Sequence, residues 1–133
     1  MSAVFADTFY FLALLDSRDA AHAKAINLSR RPGLRLVTTD YVILELADAL
    51  NKRTTRAEFI ILWESLQGDA AVKIIVGNNN LWQRGMQLYQ KRPDKEWQLT
   101  DCISFLVMED LGLKDALTGD KHFAQAGFKP LLA

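Results

Sequence analysis

The sequence predicts an α/β domain in which helices cover both faces of a mostly parallel sheet, and three observations predict it. Strand-like runs alternate with helix-like segments along all 133 residues, the order of strand-helix-strand units. The opening run "AVFA" is apolar throughout, as a strand covered on both faces is. Acids stand just after strand runs, Asp7 after the first and Asp120 after the fourth, where parallel sheets gather their ligands.

Each element follows in order. "TFYFLALLD" is too densely apolar for an exposed helix, so the opening strand feeds a buried one. "SRDAAHAKAINLSRRPG" is alanine-rich with helical spacing and closes on Pro-Gly, a stop signal before the strand "LRLVTT". Asp40 to about Gly68 reads as two helices broken near "KRTTRAE", with Thr55 capping the second and Glu58 completing a capping box. "AVKIIV" is the clearest strand by its β-branched residues, and "GNNN" turns into the helix "LWQRGMQLYQK". The next helix runs from Thr100, its predicted cap, to Leu111. "LGLKDALT" gives a turn and a short strand, "GDKHFAQAGF" a turn with at most a short helix, and "KPLLA" an edge strand that tolerates its proline. The sheet therefore has four or five strands.

Composition bounds the function. The length suits one domain over residues 1–133, and half the residues are hydrophobic. Lysine plus arginine balance aspartate plus glutamate at 16 each, which excludes a strongly basic passive nucleic-acid binder. The lone Cys102 has no Cys/His ligand set around it, which disfavours structural zinc and points to a reducing cytoplasm. "FYFLALL" follows an acid and lacks a cleavage pattern, so it is no signal peptide, and no run is long enough to span a bilayer.

The acids carry the candidate chemistry, and each has two readings. Asp120 either caps a short helix or faces a site, and Asp101 either complements a helix dipole or does the same. Asp101 and Ser104 are polar exceptions on one face of "CISFLVM". Glu45 points away from the stripe of Ile43, Leu46, Ala47 and Leu50, on the side of Asp48 and Lys52, which reads as a solvated face. Asp7, between two apolar runs, has to be paired, hydrated or metal-bound. Were all four to converge, repulsion would raise their pKa values unless cations were present, and oxygen ligands suit one or two Mg²⁺ or Mn²⁺ ions able to assist phosphodiester hydrolysis.

Other eye-catching residues read as structural. His22 and His122 cap or pack helices, Trp63 and the Trp82/Met86/Tyr89 spacing read as core, Trp97 as loop packing, and Glu109 with Asp110 as solvated surface. The basic clusters "RRPGLR", "KRTTR" and "KRPDK" are solvated turns unless one lines the acidic crevice, where it would hold substrate phosphates.

Nearly end to end, the chain resembles the PIN-domain ribonucleases, especially the VapC-like toxins of toxin-antitoxin pairs. The segments that carry the resemblance are "FADTFYFLALLDSRDAAHAKA", "VTTDYVILELADAL", "LTDCISFLVMEDLG" and, most specifically, "DALTGDKHFAQAGF". The resemblance implies a three-layer α/β/α fold and an acidic quartet of Asp7, Glu45, Asp101 and Asp120, with Thr118 as a polar helper, while Thr8 or Ser104 would substitute for a hydroxyl missing at residue 9. It also implies Mg²⁺ or Mn²⁺, an RNA substrate and a cognate antitoxin, and the paired apolar helices at residues 41–68 point to a homodimer. One position departs: many relatives carry a small hydroxyl residue where this chain has Phe9. The alternative of a non-catalytic PIN-like module that binds RNA or protein rests on that departure. A phosphoacceptor receiver domain is disfavoured, because its adjacent acids and its late lysine are missing.

Overall fold

The computed structural model describes residues 3–133. Strands β1 (Ala3–Ala6), β2 (Arg35–Thr39), β3 (Val72–Ile75), β4 (Asp115–Leu117) and β5 (Lys129–Pro130) form one sheet in the order β3-β2-β1-β4-β5. Every pairing is parallel, with Phe5 aligned to Val37 on one side and to Ala116 on the other.

The helices are α1 (Thr8–Leu15), α2 (His22–Ser29), α3 (Asp40–Ala49), α4 (Arg56–Gly68), α5 (Asn79–Lys91), α6 (Leu99–Leu111) and α7 (Lys121–Gln125). The chain moves outward from β1 to β3 through α1 to α4, then crosses back to β4 and β5 through α5 to α7. Right-handed crossovers in opposite directions put the two helix groups on opposite faces, which makes three layers. Contacts respect this division: α1 packs on α2 and α3, α3 on α4, α5 on α6, and α6 on α7.

The central strand is the most buried, with Phe5 and Ala6 fully enclosed by Phe11, Leu117 and Phe123 among others. The order reverses between β1 and β4, so a crevice opens beyond their carboxyl ends, a topological switch point. Strand β5 ends the sheet on that side. Its Lys129 amide reaches the Lys114 carbonyl and its Leu131 amide the Ala116 carbonyl, so Pro130 sits where no donor is needed.

Local chemistry corrects four sequence expectations. Helix α2 starts at His22 rather than near Ser17, because the Asp16 and Asp19 side chains accept the amides of Arg18 and Ala21 and hold the chain in turns. Thr55 stands at the start of α4 with αR backbone angles and does not cap it; its hydroxyl donates to the Leu50 carbonyl, 2.9 Å away. Helix α6 starts one residue early, with Gln98 at its cap position, which leaves Thr100 in the first turn. Trp82 and Tyr89 are 41% and 50% exposed and are not core, since the inner side of α5 is taken by Leu81 and Gly85.

Candidate active site

Asp7 follows β1 directly and occupies the cap position of α1, yet its side chain does not bond that helix. Instead Oδ2 accepts the Thr118 hydroxyl at 2.8 Å, from the end of β4. Asp7 is 5% exposed, and burial raises its carboxyl from 3.8 to about 7 despite the Thr118 bond, with the charges of Asp101 and Glu45 pushing the same way. The Thr118 oxygen also accepts the Asp120 amide at 3.0 Å, so one buried hydroxyl ties the first acid to the turn bearing the last.

Gly119 lies inside that turn because Phe9 leaves no room for anything larger. A Cβ there would stand 2.5 Å from the Phe9 ring. Phe9 thus packs against the β4–α7 turn. Asp120 caps α7, its Oδ1 accepting the His122 amide at 2.9 Å.

Asp101, in the first turn of α6, uses Oδ2 twice. It accepts the Gln98 amide at 3.1 Å and faces His122 Nδ1 at 3.1 Å. The same ring nitrogen is 3.3 Å from Asp120 Oδ1, so His122 bridges two acids from different elements. Burial is the main cause that raises the Asp101 carboxyl above its usual range, and the charge of Asp120 adds to it.

Glu45 is half-buried rather than solvated, and the Thr8 hydroxyl holds its Oε1 at 2.5 Å. Helix α3 begins immediately after β2 because the Thr39 hydroxyl accepts the Val42 amide, which brings α3 to the crevice without an intervening loop.

The four acids therefore form one connected field. Asp7 senses Asp101 and Glu45, and Asp101 senses Asp120. Of the hydroxyls, Thr8 and Thr118 bond acids, whereas Ser104 donates to the Thr100 carbonyl of its own helix and hydrogen-bonds none of them. The reading of His122 as mere packing is corrected by its bridge between Asp101 and Asp120, while His22 does pack, its Nδ1 lying 2.7 Å from the Ala13 carbonyl. The D-x-H spacing in "GDKHF" was the one available signal for His122.

Among the described residues no buried side-chain nitrogen or oxygen lacks a partner, so carboxylate oxygens left free by these bonds reach solvent. One ligand atom each of Asp101, Asp120 and His122 lies within 4.8 Å of the others, a spacing at which a cation can be shared. Oxygen donors with a single imidazole and no thiolate suit a hard or borderline dication. Raised carboxyl pKa values in a crevice are also what a site looks like when its charge awaits a counter-ion.

Comparisons with known proteins bear on the family and the fold. The chain is 25% identical over 125 residues to a Mycobacterium tuberculosis protein named as the 23S rRNA-specific endonuclease VapC20, spanning 94% of this chain and 95% of that protein. It superposes on the crystal structure of VapC20 from the same organism, described as a Sarcin-Ricin loop cleaving toxin, with a TM-score of 0.83 and 25% identity over 96% of each chain. VapBC-1 from nontypeable Haemophilus influenzae shares the fold at a TM-score of 0.68 and 16% identity, over 99% of this chain and 100% of that one. Residues 4–129 match the PIN domain from end to end, and the chain belongs to that family.

Proposed function

We propose that this protein is a metal-dependent endoribonuclease, the toxin of a toxin-antitoxin pair, that hydrolyses RNA phosphodiester bonds at the crevice of Asp7, Glu45, Asp101 and Asp120. The observation that carries the reading is the burial of two carboxylates, Asp7 and Asp101, in the field of two more, with both pKa values raised. A purely structural role gives no reason to keep such a cluster, whereas one or two Mg²⁺ or Mn²⁺ ions would relieve it. The relative named as a 23S rRNA-specific endonuclease supports RNA as the substrate class.

Asp7, Asp101, Asp120 and Glu45 would hold the ion or ions. The chemistry supplied on binding is a lowered pKa for the attacking water and charge opposite the phosphate oxygens. Thr118 fixes the Asp7 carboxylate and the Asp120 backbone together, and Thr8 fixes Glu45. His122, whose one ring nitrogen faces both Asp101 and Asp120, would position these two acids for the ion.

The proposal takes residues 1–133 as one domain, supported by a sheet that joins β1 to β5. The likeness to VapBC-1 supports a cognate antitoxin. Exposed Leu44, Ile60 and Ile61 on α3 and α4 support a homodimer through these helices. No helix among the described residues is long and apolar enough to cross a membrane, and the free, buried Cys102 suits the cytoplasm we assign.

The test is cleavage of single-stranded RNA with Mg²⁺ or Mn²⁺ by wild type, Asp7→Asn and Asp101→Asn. Wild type should cut, and both variants should lose activity by at least ~100-fold while remaining folded. Equal cleavage by all three proteins would refute the assignment.

A further inference from the structure

Outside the acidic crevice, one hollow combines an exposed aromatic ring with cations at the turn between α5 and α6. It encloses about 490 Å³, and its lining includes Tyr89, Arg92, Lys95, Trp97 and Gln98.

Its position follows from how the two helices pack. Arg84 on α5 makes two 2.8 Å bonds to Asp110 near the end of α6. Gly85 lies so close to Ile103 that an added Cβ would stand 2.6 Å from its side chain. The pair is thus an antiparallel hairpin, which sets the last turn of α5 beside the first turn of α6, where Asp101 sits. The wall nearest α6 is fixed to the crevice: the Gln98 amide bonds Asp101, and the Trp97 indole donates to Gln125 at 3.0 Å while meeting Phe105 edge-on at 5.0 Å.

The rest of the lining differs in character. Tyr89 is half exposed. The Arg92 guanidinium lies 4.9 Å from the Trp97 ring centre and is held there by two 3.0 Å bonds that it donates to the Asp94 carboxylate. Lys95 forms no ion pair among the described residues. Lys91, Arg92 and Lys95 outnumber Asp94 and Glu96 in this turn, in contrast to the acids next door.

A flat ring that is open to solvent, next to an unpaired ammonium, matches a nucleotide: base on ring, phosphate by cation. A neutral or acidic peptide would leave the ring face without a stacking partner. We infer that this hollow is a subsite for single-stranded RNA flanking the cleaved bond, with a base stacked on Tyr89 and a backbone phosphate beside Lys95. The inference rests on the ribonuclease reading and deepens it. Because every base has a π-face, the subsite holds the strand without choosing its sequence.

The experiment is fluorescence anisotropy of a labelled single-stranded oligoribonucleotide in EDTA, so that no cutting intervenes, with the full chain at several salt concentrations. Tyr89→Ala should bind roughly tenfold more weakly, and Tyr89→Phe should match wild type, because the ring rather than the hydroxyl stacks. Lys95→Ala should flatten the dependence of log affinity on log salt by about one unit, while Lys73→Ala on the edge strand β3 should change nothing. Circular dichroism checks that each variant is folded. Wild-type binding by both Tyr89→Ala and Lys95→Ala, or equal weakening by Lys73→Ala, overturns the subsite. Cleavage by the same proteins is scored separately. A wild type that binds through Tyr89 yet never cuts RNA would refute the ribonuclease reading alone, and a wild type that cuts while the variants bind unchanged would refute the subsite alone.

Discussion

The Thr118 hydroxyl donates to Asp7 across a sequence separation of 111 residues, and the same oxygen receives the Asp120 amide. Thr118→Val keeps the shape and removes both bonds, leaving a buried carboxyl and an amide less satisfied. The variant should lose about 1–3 kcal/mol of stability in urea denaturation, and Thr118→Ser should recover most of it. A Val variant with an unchanged midpoint would mean that the bond is incidental.

Asp7 gives the metal-free protein a definite pH dependence. Its carboxyl titrates near 3.8 when unfolded and is raised to about 7 in the fold, so between those values the native state holds a proton that the unfolded chain has released. Its contribution to stability is fully present below 3.8, declines as pH rises, and is gone above about 7. Asp101 is raised as well and acts in the same direction. In EDTA, melting temperature should therefore fall from pH 5 to pH 8, and Asp7→Asn should flatten that slope by an amount on the order of a few kcal/mol. Added Mg²⁺ or Mn²⁺ should restore more stability at pH 8 than at pH 5, because protons and cations compete for the same oxygens. A rise in stability over that range in EDTA would contradict the burial of Asp7.

His122 presents one ring nitrogen to both Asp101 and Asp120. His122→Ala should raise the metal concentration needed for half-maximal RNA cleavage by roughly 10- to 100-fold while leaving the rate at saturating metal much closer to wild type. His122→Asn, whose amide can donate in place of Nδ1, should recover part of the loss. If the saturating rate collapses while the metal requirement stays fixed, His122 acts on the substrate instead.

Phe9 and Gly119 should behave as a coupled pair. Gly119→Ala places a methyl 2.5 Å from the Phe9 ring and should lower stability by about 1–3 kcal/mol. In a Phe9→Ala background the same change should have little effect, which a double-mutant cycle measures directly. Additive losses would show that the two do not press on one another.

Much of this arrangement was legible in the residues. Apolar runs broken by Pro-Gly and by "GNNN" mark β1 to β3 as strands, because strand composition and turn chemistry are local, whereas their order in the sheet is not. Asp7 was legible for the same reason: a carboxylate between two apolar runs has to have a partner. What escaped is what depends on distant chain. By periodicity Glu45 looks solvated within α3, and only the family resemblance set it among the acids; its partner, the Thr8 hydroxyl, lies 37 residues upstream. His122 meets Asp101 only when α7 folds back on the start of α6. The helical spacing of Trp82 and Tyr89 was real, but periodicity shows that residues share a side of a helix without showing whether anything covers it. Ser104 satisfies itself on the carbonyl four residues back, a pairing open to any buried helical serine.

The central place of β1 between β2 and β4 has a consequence for biosynthesis. In a polypeptide still emerging from the ribosome, Asp7 is made 111 residues before the Thr118 that bonds it. Fragments from translation interrupted before β4 therefore carry Asp7, Glu45 and Asp101 but lack Thr118 and Asp120, so the crevice is completed only after the second outward run of the chain has been made.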